Sequence, residues 1–187
     1  MNTREPTSRA PAGGFTLVEL LIVIAIIAVL AGIVVTGFKY AFQQVEQTEA
    51  KQTVSNFRSA AEQVKLEDGI PPALGKKPDP ERNDFPILWR KAVDRPNPFI
   101  SGLEDSKIVV KDGDGYRLAT REEELDPKVD KYYLDPWGMP YVYRCNENLK
   151  PEPWMIYPRG LDVYSWGPNK KDDSILGKEG DENDDVR

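Results

Sequence analysis

From Leu20 to Val35 every residue is apolar or glycine, LLIVIAIIAVLAGIVV, and no other stretch limits the possible folds as tightly. With Phe15 to Val18 added, the oily segment is about 20 residues, roughly 30 Å as a helix, which matches a bilayer's hydrocarbon core. Its Ile and Val residues are mediocre helix formers in water. In lipid the backbone must satisfy its own hydrogen bonds, so a helix is expected. One charge, Glu19, lies inside the run. A carboxylate there is costly and marks function by default. The alternative is that Glu19, close to one end, snorkels to the headgroups.

The flanks narrow the reading. A secretory signal has a short apolar region followed by a small-residue cleavage site. Here the run is too long, and no A-x-A pattern follows it. On the near side Gly13-Gly14 meets Phe15, an unhindered backbone that a protease cleft accepts in extended form. GFTLVE followed by an oily helix resembles the class III signal of type IV prepilins and pseudopilins; an ordinary signal anchor that carries GGF is the alternative. The resemblance implies that a prepilin peptidase cuts between Gly14 and Phe15 and methylates the new Phe15 amine. It also implies a partner for Glu19, the free amine of Phe15 on a neighbouring subunit. An unpaired buried charge is expensive, so such a pair fixes the stagger between subunits even where it stabilises little.

At 187 residues the chain has room for one membrane helix and one modest domain. Residues 1–14 read as a leader, with Arg4 and Arg9 against Glu5, and positive charge before the first helix keeps that end cytoplasmic. The remainder would face the periplasm as a single-pass inner-membrane protein. Loss of the leader takes the formal charge from −6 to −7. An acidic chain without a basic stripe points away from nucleic acid. Cys145 stands alone, so no intramolecular disulfide forms. The absence of histidine removes Ser-His and Cys-His nucleophile systems and the commonest zinc ligand, and no phosphate-binding or nucleophile-elbow motif occurs. The expected role is not enzymatic.

After the membrane segment (15–36) the spacing of Phe38, Ala41, Phe42, Val45, Val54, Phe57, Ala60, Ala61 and Val64 predicts an amphipathic continuation over 37–69. No proline interrupts Phe15 to Glu67, so one helix of about 50 residues, roughly 75–80 Å, is expected. Gly69 is the expected C-cap, with Pro71-Pro72 behind it. KLEDGIP (65–71) resembles the stretch that closes the long helix in G-type pseudopilins of the type II secretion system. That family usually carries proline where Thr36 stands, which predicts a straighter helix here.

The periplasmic domain, 70–187, is expected to be small and α+β, with the helix packed on an antiparallel sheet in the pilin manner. A Pro-rich insertion (71–100) reads as loop with a short helix over 85–93. Ile108–Val110 and Tyr116–Leu118 flank DGDG, which reads as a hairpin turn because it lacks the EF-hand spacing. YYLDPWGMPYVY (132–143) resembles the turn and strand of G-type pseudopilins, and DVYSWG (162–167) resembles the family's next strand. Met155–Tyr157 is a further candidate strand. Trp137, Tyr141 and Trp166 are expected to pack rather than bind, and residues 71–131 find no match in the family.

Residues 171–187 carry seven acids against three bases. Alone, such a run reads as a solvated end. The resemblance instead implies a calcium site in the acidic C-terminal loop (167–187), formed by Trp166, Asn169, Asp184 and Asp185, with Asn169 in place of the family's aspartate. Ca²⁺ takes oxygen ligands of this kind. The implied function is a subunit of a type II secretion pseudopilus. Its partners would be identical subunits, minor pseudopilins, the inner-membrane assembly platform and the secretion ATPase complex. The alternatives are a type IV pilin or minor subunit, and a monomeric membrane-tethered calcium-binding domain.

Overall fold

The computed structural model describes residues 15–173 and 185–187. Helix α1, Leu17–Asp68, runs unbroken through position 36, as the absence of proline predicts. Two compact units divide within it, Met1–Gln43 and Gln44–Arg187.

In the first unit, Leu17–Val34 has a mean hydropathy of 3.1 and is long and apolar enough to cross a membrane. None of that window is buried within the protein. Phe38 and Phe42, expected on the buried stripe, are 57% and 66% exposed, and their rings lie 6.4 Å apart. In the second unit Val45 is exposed as well. The apolar surface therefore outlasts the span, and the covered stripe starts only at Ala50.

From Ala50 the helix is amphipathic as predicted: Ala50, Val54, Phe57, Ala60, Ala61 and Val64 are all buried. Phe57 is the hub, edge-on to Phe85 at 4.8 Å and within 5.9 Å of both Tyr133 and Tyr141. Aromatic pairs at these separations add about 0.5–1.5 kcal/mol beyond the area they bury. The helix stops at Gly69, whose φ of +74° suits a residue without Cβ, and the Tyr143 hydroxyl donates to the Pro72 carbonyl just beyond, at 2.8 Å.

The short helix expected over 85–93 is α2, Phe85–Ala92, which buries Phe85, Leu88 and Trp89. Strands β1 (Ile108–Asp112) and β2 (Gly115–Leu118) form the predicted hairpin around Gly113-Asp114, with Gly113 at φ +59°. Helix α3, Arg121–Leu125, follows and is capped by Thr120. Strand β3, Lys131–Tyr133, pairs with β1, so the order of this antiparallel sheet is β2-β1-β3. A second antiparallel pair joins β4 (Val142–Cys145) to β5 (Leu161–Tyr164). The architecture is α+β, consistent with a pilin-like fold.

Residues 71–131 are built into this core. β1 is the central strand of its sheet, and Asn83-Asp84 lies along β4 like a further strand. The Asn83 side chain accepts from Tyr143 N (3.1 Å) and donates to the Tyr141 carbonyl (2.9 Å), while Asp84 N donates to the Tyr143 carbonyl (2.8 Å). Buried Lys131 reaches Asp94 at 2.6 Å, and the Trp89 indole donates to the same carboxylate at 3.0 Å.

Met155–Tyr157 is an irregular bend between two turns, not the expected strand. The backbone N–H groups of Ile156 and Tyr157 donate to the Asp162 carboxylate (3.3 and 2.7 Å), so they are unavailable to a ladder. Cys145 is buried at the end of β4.

Candidate functional site

Two regions carry the residues singled out from the sequence. At the N-terminus Phe15 is 79% exposed and precedes α1 by two positions. Thr16 N and Thr16 Oγ1 each donate to Glu19 Oε2 at 2.8 Å, and Glu19 N donates back to Thr16 Oγ1 at 3.2 Å. This is a reciprocal capping box, which satisfies orphan N–H groups at the helix start. It places the Glu19 carboxylate beside the backbone that cleavage before Phe15 would free. An anion is also favoured at a helix N-terminus. The T-x-x-E spacing was legible in the sequence as a cap signal, and Thr16 was the residue missed. Gly14 lies outside the described residues.

The second region is the loop after β5. Ser165 exchanges backbone hydrogen bonds with Val186 in both directions, at 3.0 and 2.9 Å. The Ser165 hydroxyl donates to Asp135 at 2.5 Å, and the same oxygen accepts from Gly167 N at 3.0 Å. Asp135 also accepts from Trp137 N and Met139 N, so the DPWG turn and the C-terminal loop share one carboxylate. Burial raises the Asp135 carboxyl above its usual range, against the opposing pull of Ser165 and those N–H groups.

Asn169 Oδ1 accepts from Lys171 N at 2.6 Å, and its amide donates to Asp173 Oδ2 at 2.9 Å. Asp173 N donates in turn to Asp185 Oδ1 at 3.3 Å. Two of the expected calcium residues, Asn169 and Asp185, therefore meet at buried Asp173, an acid the sequence reading had only counted. Trp166 packs half-buried at the loop's start, and its indole N–H has no hydrogen-bond partner among the described residues. Asp184 lies outside the described residues. Among those described, no group of three or more His, Cys, Asp or Glu gathers as a metal site would. The oxygens of Asn169, Asp173 and Asp185 are nonetheless hard donors of the type Ca²⁺ accepts.

Comparison with known proteins bears on the N-terminus first. Residues 9–35 match the family described as the prokaryotic N-terminal methylation motif, and that range encloses Gly14, Phe15, Thr16 and Glu19. The N-terminus therefore carries a prepilin-type methylation motif. The chain is also 27% identical over 171 residues to the type II secretion system core protein G of Pseudomonas aeruginosa. The match covers 88% of the chain and 89% of that relative, so it extends into residues 71–131, which had found no counterpart by motif. No solved structure matches.

Proposed function

We propose that this chain is a structural, non-catalytic subunit of a type II secretion pseudopilus. The observation that carries the reading is the near full-length similarity to a core protein G, on a chain that opens with the methylation motif. The uncleaved chain sits in the inner membrane with residues 1–14 cytoplasmic and the α+β domain periplasmic. The prepilin peptidase cuts before Phe15 and methylates its amine. The assembly platform and its ATPase then draw subunits into a filament of identical chains with minor pseudopilins.

In the filament the Glu19 carboxylate, already held at the helix start by Thr16, receives the Phe15 amine of the next subunit. Head-to-tail contacts that do not close on themselves give an open helical fibre. Calcium belongs to the same proposal: Asn169, Asp173 and Asp185 would hold it, with Asp184. Bound there, it would supply positive charge to join acids that otherwise repel.

Glu19→Val tests the reading in cells that carry a type II secretion system and lack its major pseudopilin. The wild-type chain should be cut before Phe15, form filaments and restore export. The variant should be cut equally well but assemble poorly. Normal filaments from Glu19→Val, or no cleavage of the wild type, would defeat the proposal.

A further inference from the structure

We propose that Arg144 is a built-in counter-cation that docks the C-terminal loop, residues 165–173, so that the loop keeps its place without a bound metal ion. Arg144 projects from β4 and has no exposed surface. Its Nη1 donates to the Pro80 carbonyl at 2.6 Å. Its Nη2 donates to the Tyr164 hydroxyl and stands 3.8 Å from Asp172 Oδ2. Tyr164 Oη donates to the same carboxylate oxygen at 2.5 Å. The rings of Trp154 and Tyr164 flank the guanidinium, at 4.9 and 5.2 Å to their centroids.

One cation thus ties together the proline-rich segment, β5 and the loop. Arginine cannot shed its proton inside a protein, and a buried charge without its counter-ion is strongly destabilising. Asp172 is the carboxylate at ion-pair distance among the described residues. Asp162, opposite Arg144 on β5, and Asp84 also act on this cation, and Asp172 adds the counter-charge that comes from the loop. With Asp172 come its neighbours Lys171 and Asp173, and through them the Asn169 and Asp185 contacts. Tyr164 reinforces the pairing by accepting from the cation and donating to the anion.

In a loop fastened only by a metal, the acids repel until the ion arrives. Here one acid is neutralised from within the fold. The same positive charge, a few ångströms away, also weakens the loop's attraction for a divalent cation. The loop's own contacts hold it whether or not calcium binds.

The test uses the full-length protein in detergent micelles and follows hydrogen exchange at Ser165 and Asp173. Their amides bond to Val186 and Asp185. The amides of the β4–β5 ladder serve as internal reference. With chelator present, the wild-type loop should stay protected. Asp172→Asn keeps size and an acceptor for Tyr164 but removes the charge. It should speed exchange at Ser165 and Asp173 on the order of 10- to 100-fold, as expected for losing a charged hydrogen-bonded contact, with the ladder unchanged. Arg144→Met should do the same; because it can disturb the core, Asp172→Asn is the deciding variant. A wild-type loop that opens in chelator and closes with calcium would overturn the proposal. So would wild-type protection in Asp172→Asn. A separate calcium titration of the wild type decides the calcium reading alone.

Discussion

Replacing Asp162 by Asn changes one atom and sets two effects against each other. Asp162 is fully buried on β5. Its Oδ1 accepts from Tyr157 N at 2.7 Å, and its Oδ2 accepts from Asn146 Nδ2 at 2.8 Å and Ile156 N at 3.3 Å. Burial raises its carboxyl above the usual range, so removing the charge relieves a real desolvation cost. An amide nitrogen, however, offers no lone pair to the donors. Turned the better way, Asn still faces Tyr157 N with a second N–H group and strands both. Each stranded donor costs about 1–3 kcal/mol, and the lost bond was charge-assisted. The donors should win, with a net loss of ~2–4 kcal/mol out of a typical 5–15. That corresponds to a fall in the thermal midpoint on the order of 10 °C. Asp162→Ala strands all three donors and should fall further. Tryptophan fluorescence of the detergent-solubilised chain during heating measures both. An Asp162→Asn midpoint at or above wild type would refute the reasoning, because desolvation would then outweigh the donors that shape residues 155–160.

Gly14→Val places a branched side chain in an extended cleavage site; the protein should stay at precursor mass, and a mature N-terminus at Phe15 in the variant would contradict that. Phe57→Ala empties the aromatic hub and should cost about 3–5 kcal/mol; a loss below about 1 kcal/mol would mean that α1 is not held through this ring. Burial raises the Asp84, Asp135 and Asp162 carboxyls above their unfolded value of 3.8. The stability they contribute is therefore complete below that value and is lost as pH rises through their folded values. From about pH 7 to about pH 5 the thermal midpoint should hold or rise, and a clear fall would contradict the assignment.

The long helix, its stop at Gly69, α2 and the hairpin were legible because each carries its own local signal: a period, a cap, a turn residue. Trp137, Tyr141 and the DPWG turn were legible through resemblance. What escaped the sequence is what side chains do across distance. Asn83 imitates a strand beside β4, and Asp162 captures two N–H groups that would otherwise join a ladder. Neither leaves a periodic trace. Phe38, Phe42 and Val45 continue the helical period but lie exposed, since spacing reveals a shared face and not whether anything covers it. At the site, Glu19 announced itself as a charge in an oily run, whereas Thr16 looked unremarkable until its hydroxyl and N–H were seen on Glu19. The meeting of Asn169 with Asp173 and Asp185 depends on the chain's return near its end, which composition does not encode.

That return has a consequence in time. Val186 lies well beyond β5 in the chain, and its backbone closes both hydrogen bonds to Ser165. The contact cannot form until residue 186 has been made, after every other described element of the domain. Until then the end of β5 lacks its partner, and an unpaired strand edge is the kind of surface through which unfinished chains associate. Of the described contacts of the domain, this closure is thus the last that the growing chain can make. A chain cut before Val186 would keep α1 and most of the core, yet yield a domain whose β5 end stays unclosed.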